Sequence, residues 1–167
     1  MQEIRSQKAT ETALQNLIDQ VRDGYIGSIP LVVGIHTGGA WVASRLSEAL
    51  QWAEPATLDI SLYRDDFETS GLKCSGTTDR MPQQLNGENI LLIDDVLFTG
   101  RTIRAALNVL FDYGRPGIIH LGILFDRGGR ELPIEPTFLG ESLGEEGFER
   151  CKLLGPKPLV LMTPNSE

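Results

Sequence analysis

Two adjacent carboxylates, Asp94 and Asp95, follow an apolar segment and precede a short turn that ends in Thr-Gly-Arg-Thr at positions 99–102. The turn leads into a predicted helix, whose N-terminus offers unpaired backbone N–H groups and the positive end of a dipole. Such a turn is suited to hold a phosphate. Adjacent carboxylates suit the hydroxyls of a ribose or a hydrated Mg²⁺ ion. At the end of one predicted strand, this combination indicates a phosphorylated sugar as the ligand.

The turn distinguishes this interpretation from the simplest alternative, a solvated strand end that carries two acids. Gly100 lets the backbone close around an anion, and Thr99 and Thr102 add hydroxyl donors. The spacing does not match the Walker phosphate-binding loop or the dinucleotide-binding fingerprint. A different kind of phosphate-binding turn is therefore expected.

Helices and strands are predicted to alternate around these residues. Helices are expected over residues 10–22, 40–50 and from Gly100 to residue 113, and strands over residues 31–35, 56–63, 89–93, 118–125 and 159–162. Strands that are apolar throughout and alternate with helices predict an α/β fold with a mostly parallel, twisted central sheet flanked by helices. The inner side of the second helix is expected to hold Trp41, Val42, Leu46, Ala49 and Leu50.

Three segments follow the ends of predicted strands, namely residues 36–39, 94–102 and 126–130. Ligands of parallel α/β sheets bind beyond the carboxyl ends of the strands, so these segments are expected to form one crevice. A long polar segment, about residues 64–88, contains several glycines and a proline. A loop of that length in a compact domain is typically functional, and a mobile lid is expected.

Composition restricts the remaining possibilities. The 167 residues are enough for a single domain, 1–167, with its own core, and the formal net charge of −8 argues against a surface coated with basic residues for nucleic acid. The sequence has no apolar run of membrane-spanning length and no signal-peptide pattern, so the cytoplasm is the expected location. Cys74 and Cys151 are interpreted as free thiols, with a redox pair as the alternative.

The segment from Ile93 to Thr102 resembles the phosphoribosyl pyrophosphate (PRPP) motif of type I phosphoribosyltransferases. Residues 58–66, the helix that continues to Pro116, and residues 125–134 resemble one branch in particular, the bifunctional pyrimidine operon attenuation regulators of the PyrR family. The resemblance covers about residues 10–143 with the elements in the same order, and it does not extend to residues 144–167. It implies the type I fold, with a lid over about residues 64–88 and a small hood over about residues 126–143 plus the tail.

The implied activity is transfer of ribose 5-phosphate from PRPP to uracil, giving UMP and pyrophosphate with Mg²⁺. Asp94 and Asp95 would hold the ribose, directly or through Mg²⁺, and Arg64 would act in catalysis. The 5′-phosphate would bind the turn after the carboxylates, the pyrophosphate would bind residues 36–39, and the hood residues would cover the uracil. The implied substrate-binding residues are Val96, Leu97, Phe98, Thr99, Gly100, Arg101, Thr102, His36, Thr37, Gly38, Gly39, Asp126 and Arg127.

The resemblance also implies a homodimer or higher homo-oligomer and an mRNA leader as a partner. Two departures bear on these implications. In the pyrophosphate loop, His36 and Gly38 stand where the Lys-Thr-Arg-Gly pattern of the family has a lysine and an arginine, so two fixed positive charges are lost. At the RNA-binding edge, Gly129 stands where a histidine is typical. The first helix region offers only Arg5, Lys8 and Arg22 as basic residues, which argues against RNA binding because phosphate contacts require Lys or Arg.

Several residues keep a structural alternative. His36 is either a pyrophosphate contact or an ordinary turn histidine, Arg64 is either catalytic or a solvated loop arginine, and Asp126 could simply pair with Arg127. His120 and Trp41 are expected to be structural. Purine-using relatives often carry a carboxylate where Phe98 stands, so uracil is favoured and another base is the alternative.

Overall fold

The structure is a computed structural model that describes residues 1–60, 80–144 and 150–163. Within these residues the chain forms eight strands and three helices. In chain order they are β1 (Gln2–Arg5), α1 (Gln7–Gly24), β2 (Leu31–Ile35), α2 (Gly38–Leu50), β3 (Ala56–Leu58), β4 (Ile90–Leu97), α3 (Arg101–Asp112), β5 (Ile119–Asp126), β6 (Phe138–Ser142), β7 (Lys152–Leu154) and β8 (Val160–Thr163).

The main sheet has five parallel strands in the order β3-β2-β4-β5-β6. Helices α1 and α2 pack on one face, where Leu91 and Ile93 contribute to their core, and α3 packs on the other face with Ile90 and Leu92. Because successive strand residues point to opposite faces, a strand covered on both faces must be apolar at every position. The predicted α/β fold with a parallel sheet flanked by helices is therefore confirmed.

The second sheet joins the two ends of the chain. It has the order β1-β8-β7, and both pairs are antiparallel. The predicted strand at 159–162 lies in this sheet as Val160–Thr163, while β1 and β7 were not anticipated because each is too short to show a period. Residues 138–142, which the hood expectation included, instead form the edge strand β6 of the main sheet.

Other boundaries differ in ways that affect the site. Strand β4 continues to Leu97, so Asp94 and Asp95 lie inside the strand and not beyond its end. Helix α2 begins at Gly38, two residues earlier than the pattern indicated, and Ala49 is exposed and not on its inner side. Residues 61–63 of the expected third strand and residues 64–79 of the expected lid lie outside the described residues.

Candidate active site at the carboxyl edge of the main sheet

Parallel registration brings the three predicted segments together. Gly34 of β2 is level with Ile93 of β4, and Leu97 of β4 is level with Asp126 of β5. The segments that follow β2, β4 and β5 therefore leave the sheet at the same edge. The contacts described below confirm that they converge there.

Asp94 and Asp95 are fixed by their own backbone. The carboxylate of Asp94, whose residue is only 6% exposed, accepts the N–H of Asp95 at 3.0 Å, and the carboxylate of Asp95 accepts the N–H of Val96 at 3.0 Å. A backbone N–H thus fixes the direction of each carboxylate. The arrangement thus presents two oriented acids at the edge of the sheet.

The N-terminus of α2 lies directly against these acids. A Cβ on Gly38 would overlap the carboxylate of Asp95, and a Cβ on Gly39 would lie 2.6 Å from the carbonyl oxygen of Ile93 and 3.0 Å from Asp94 Oδ1. Only glycine permits this approach. The first N–H groups of a helix have no intrahelical partner, so the start of α2 brings donors for an anion beside the carboxylates.

His36 and Thr37 connect β2 to this helix. The N–H of His36 donates to the carbonyl of Leu58 at 2.9 Å, and the His36–Thr37 peptide is cis. Thr37 is the N-cap residue of α2, and its side chain makes no capping hydrogen bond. Both residues therefore lie at the entrance of the loop predicted to bind pyrophosphate, and their roles there stay predictions.

The turn between β4 and α3, which is predicted to bind a phosphate, is fixed by hydrogen bonds. Gly100, the N-cap residue of α3, has φ +90°, which favours glycine, and the N–H of Arg101 donates to Thr99 Oγ1 at 3.2 Å. The carbonyl of Thr99 accepts the N–H groups of Glu131 and Leu132 at 3.0 and 3.1 Å. The segment after β5 thus holds the turn in place from outside.

Arg130 is the anchor of that segment, a role that the sequence did not reveal. It donates two hydrogen bonds to the carboxylate of Asp126, at 2.9 and 2.5 Å, and one each to the carbonyls of Phe98, at 3.0 Å, and Ile134, at 2.8 Å. Asp126 forms an ion pair with Arg130, whereas the sequence suggested Arg127 as its partner. The signal that could have found it is the spacing of four residues across a glycine turn.

The pKa of Asp126 reflects this environment. Burial alone would raise it, but the hydrogen bonds from Arg130 and from the N–H of Gly128, together with the Arg130 charge, hold the pKa below its ordinary value. Asp126 therefore stays ionised at neutral pH. Its two carboxylate oxygens accept hydrogen bonds from Arg130 and so hold the Arg130 side chain in position.

Phe98 and Arg127 form a stacked pair at the same edge. The guanidinium carbon of Arg127 lies 3.8 Å from the centroid of the Phe98 ring, and Phe98 is 41% exposed. By contrast, Leu97 is 2% exposed and packs in the core with α3, so it offers the site only its backbone. Val96 is half-buried against the core on the other face.

Cys151, in the segment after residue 144, is half-buried and packs against the core beneath α1 and α2. Burial raises the pKa of this half-buried thiol, while the charge of Arg127 lowers it and that of Asp95 raises it. No sequence signal marked this residue, because the tail has no recognisable pattern.

His120 and Trp41, which are predicted to be structural, both contact neighbouring side chains. The Tyr25 hydroxyl lies 2.7 Å from His120 Nδ1, and burial raises the pKa of Tyr25 to about 12, so the phenol remains protonated. Trp41 packs against the core beside α1 and α2. Arg64, the remaining predicted catalytic residue, lies outside the described residues.

The described residues contain no side-chain cluster for a metal ion and no helix suited to cross a membrane. Residues 1–60, 80–144 and 150–163 hold no cluster of three His, Cys, Asp or Glu side chains that could bind a metal ion by themselves. None of the helices in these ranges has both the length and the apolar character that a membrane crossing requires. A groove of about 590 Å³ between α1, α2 and Lys157–Pro158 is separate from the carboxyl edge.

Comparison with known proteins identifies the family. Residues 1–141 match the phosphoribosyl transferase domain family. The chain is 53% identical over 133 residues to the bifunctional protein PyrR of Pseudomonas paraeruginosa, covering 79% of this chain and 78% of that protein. It is 50% identical over 135 residues to the bifunctional protein PyrR of Pseudomonas putida, covering 80% and 78%.

The chain belongs to the PyrR family of phosphoribosyl transferases.

Solved structures share the fold of this PyrR-family chain at low identity. A hypoxanthine phosphoribosyltransferase from Staphylococcus aureus superposes with a TM-score of 0.65 at 20% identity and covers 87% of this chain and 80% of its own. A hypoxanthine-guanine phosphoribosyltransferase from Bacillus anthracis gives a TM-score of 0.68 at 17% identity, covering 88% and 86%. The predicted type I phosphoribosyltransferase fold is thereby confirmed, and these likenesses support the fold alone.

Proposed function

We propose that this PyrR-family chain is a uracil phosphoribosyltransferase that converts uracil and PRPP to UMP and pyrophosphate. One observation carries the proposal: two backbone-fixed carboxylates lie against a helix N-terminus on one side and are followed by an anion-binding turn on the other. These are the three places that a ribose with a pyrophosphate on C1 and a phosphate on C5 requires.

The ribose would bind Asp94 and Asp95, with its two hydroxyls donating to the carboxylates. The 5′-phosphate would bind the backbone N–H groups of the turn around Gly100 and the hydroxyls of Thr99 and Thr102. The pyrophosphate would bind the N-terminus of α2 beside Gly38. With no basic side chain at that position, backbone donors carry most of the recognition of pyrophosphate.

The reaction exchanges one bond at the anomeric carbon. Uracil N1 forms the new C–N bond, the C1–oxygen bond to pyrophosphate breaks, and the N1 proton passes to solvent. Such a displacement needs little covalent participation by the protein, so positioning of the two reactants is the main contribution of the chain. The buried, backbone-fixed Asp94 provides that positioning for the sugar.

The carboxylates also fit Mg²⁺. Two adjacent Asp side chains are hard oxygen donors, and Mg²⁺ usually binds one or two carboxylates while substrate phosphates and waters complete its shell. A cluster of three protein ligands is therefore not required, in agreement with the described residues. When bound, Mg²⁺ would offset the negative charge that develops on the pyrophosphate.

Turnover with uracil, PRPP and Mg²⁺ tests the proposal, with hypoxanthine and orotate as alternative bases. Formation of UMP alone is expected. Product with hypoxanthine but not with uracil would overturn the choice of base, and no product with any base would overturn the enzymatic assignment.

A second candidate follows from the name of the relatives, which calls them bifunctional. The additional activity would be UMP-sensitive binding of an mRNA leader that attenuates transcription, with weak catalysis by the same pocket. The charges oppose a strong RNA surface, because Arg5 pairs with Glu141, Arg22 with Asp19, and Arg130 with Asp126. A leader-RNA shift that strengthens with UMP and weakens with salt would support this candidate, and no shift at low salt would eliminate it.

A further inference from the structure

Gly129 and the Phe98 ring are in unusually close contact. A Cβ on Gly129 would overlap Phe98 Cε2 and lie 2.9 Å from Cδ2. The φ of Gly129 is +74°, a conformation that side chains other than glycine rarely adopt. The ring therefore occupies the space that a side chain at position 129 would need.

The Phe98 ring also contacts a cation, the guanidinium of Arg127. Arg127 places its guanidinium carbon 3.8 Å from the ring centroid, and the backbone of both residues is held by hydrogen bonds. The N–H of Arg127 donates to the Leu97 carbonyl at 3.1 Å, and Arg130 donates to the Phe98 carbonyl at 3.0 Å. With the backbones fixed, the space at Gly129 lets the ring lie where it contacts the guanidinium of Arg127.

This pair is not core packing. Phe98 is 41% exposed at the carboxyl edge of the sheet, where it directly follows β4 and lies three residues after Asp95. Arg127 follows Asp126, which is level with Leu97 in the register of β4 and β5, so Arg127 and the Asp94–Asp95 pair lie on adjacent strands at the same edge of the sheet. A base attached to a ribose at Asp94–Asp95 would meet the stacked pair.

We propose that Gly129 is a positioning residue for base recognition: it leaves room for the Phe98 ring, which holds the Arg127 guanidinium flat so that the planar pyrimidine stacks on it. This inference rests on the proposed function, because it assigns the base part of the same site. Planar bases stack on guanidinium groups and aromatic rings with little dependence on sequence. The orientation of the Arg127 guanidinium must therefore be fixed by the protein.

The contribution of the base is measured directly by comparing the affinity of UMP with that of ribose 5-phosphate. The two ligands share the phosphate and the ribose, so their ratio isolates the uracil ring. We expect UMP to bind at least about tenfold more tightly to the wild-type chain, since one stacked base contributes on that order. We expect Gly129→Ala to lower the ratio about tenfold through weaker UMP binding, with ribose 5-phosphate unaffected.

Gly144→Ala is the matched control. Gly144 has the same φ of +74°, and a Cβ there would lie within 4 Å of no other described residue. Both variants carry the same backbone strain, but only one displaces the ring. Gly144→Ala is expected to leave the UMP to ribose 5-phosphate ratio unchanged.

Phe98→Leu provides a second variant if Gly129→Ala does not fold. It should lower the same ratio, and the double variant should lose no more than Phe98→Leu alone, because both act through one ring. An unchanged ratio in Phe98→Leu, or in a folded Gly129→Ala, overturns the inference, as does wild-type chain that binds UMP and ribose 5-phosphate equally. A wild-type chain that makes no UMP but shows the expected ratios would overturn the proposed function and leave this inference standing.

Discussion

Asp95 lies over the Cα of Gly38 so closely that a Cβ at position 38 would overlap its carboxylate and approach its Cγ to 2.5 Å. The contact joins strand β4 to the first residue of α2, which are 57 positions apart in the chain. A negative side chain at a helix N-terminus is favourable. The proposed ribose site and the proposed pyrophosphate site therefore share one wall, and a change in either affects the other.

Restoring an arginine at position 38 is expected to impair the chain, even though it adds the charge typical of the family pattern. Gly38→Arg and Gly38→Ala both introduce a Cβ that must push Asp95 aside. We expect both to raise the KM for PRPP at least about tenfold, a cost on the order of that for a displaced active-site group. Initial-rate kinetics with uracil held saturating measures this effect.

Gly27→Ala is a suitable control, because a Cβ there would meet nothing within 4 Å and Gly27 is remote from the site. A lower KM for PRPP in Gly38→Arg would contradict the shared wall and show that Asp95 moves without cost.

Replacing Asp94 and Asp95 together by Asn is expected to lower kcat/KM by at least about 10²-fold, because the ribose loses its charged acceptors in the transition state. The fold should survive, since an amide oxygen still accepts the backbone N–H groups of Asp95 and Val96. Circular dichroism and steady-state kinetics check both parts.

Asp112→Asn removes one acid from an exposed position at the end of α3 and serves as the charge control. Wild-type turnover in the double Asn variant would rule out the assignment of the carboxylates to the substrate.

Arg130, whose side chain is 16% exposed, is expected to contribute to the stability of the chain through its hydrogen bonds. Arg130→Met removes its hydrogen bonds to Asp126, Phe98 and Ile134. Hydrogen bonds to charged groups contribute about 1.5–3 kcal/mol, and we expect unfolding to become easier by about 2 kcal/mol. Denaturant unfolding measures the loss.

Arg130→Lys should recover only part of that stability, because an ammonium cannot reproduce the two-pronged contact with Asp126. Equal stability of the Met variant and the wild-type chain would mean that the pair makes no net contribution.

The contribution of ionised Asp126 to the free energy of unfolding is expected to be lost at acid pH. The pKa of Asp126 is lowered in the folded chain, so the folded state favours the ionised carboxylate. The stabilisation is therefore fully present above the ordinary pKa of an unfolded Asp, about 4, and is lost as pH falls through the lower folded value. Asp126→Asn should lack this component.

Urea unfolding of both chains across pH 3–7 tests the sign. The difference in free energy of unfolding between wild type and Asp126→Asn should be constant from about pH 7 to 5 and shrink below about pH 4. A difference that grows on acidification would contradict the assigned direction.

The chain is expected to assemble as a homodimer or higher homo-oligomer. Exposed apolar side chains such as Ile26, Phe111 and Ile118 are compatible with a contact surface. Sedimentation equilibrium at micromolar concentration should give at least twice the mass of one chain, 18.4 kDa. A mass of one chain throughout the concentration range would contradict this expectation.

Sequence reasoning succeeded where burial and local chemistry leave a periodic signal. The parallel sheet was predictable because Ile90–Ile93 must be apolar on both faces, and the turn at Gly100 was predictable because a positive φ there requires glycine. The site segments were predictable as a group, since parallel strands bring their carboxyl ends to one edge. The first two features depend on residues that are near one another in the chain, and the third follows from the parallel direction of the strands.

Tertiary structure alone decided the contacts between distant residues. Three contacts depend on how β2, β4 and β5 align, which no local pattern encodes. They are Gly38 against Asp95, Gly129 against Phe98, and the Asp126–Arg130 pair, in which Arg130 also donates to the Phe98 carbonyl. The small sheet of β1, β8 and β7 was hidden for the same reason, because its strands gain their stability by pairing across the length of the chain. The sequence by itself determined the parallel α/β fold, because buried strands and amphipathic helices leave local patterns. Packing determined which side chains touch at the carboxyl edge of the sheet.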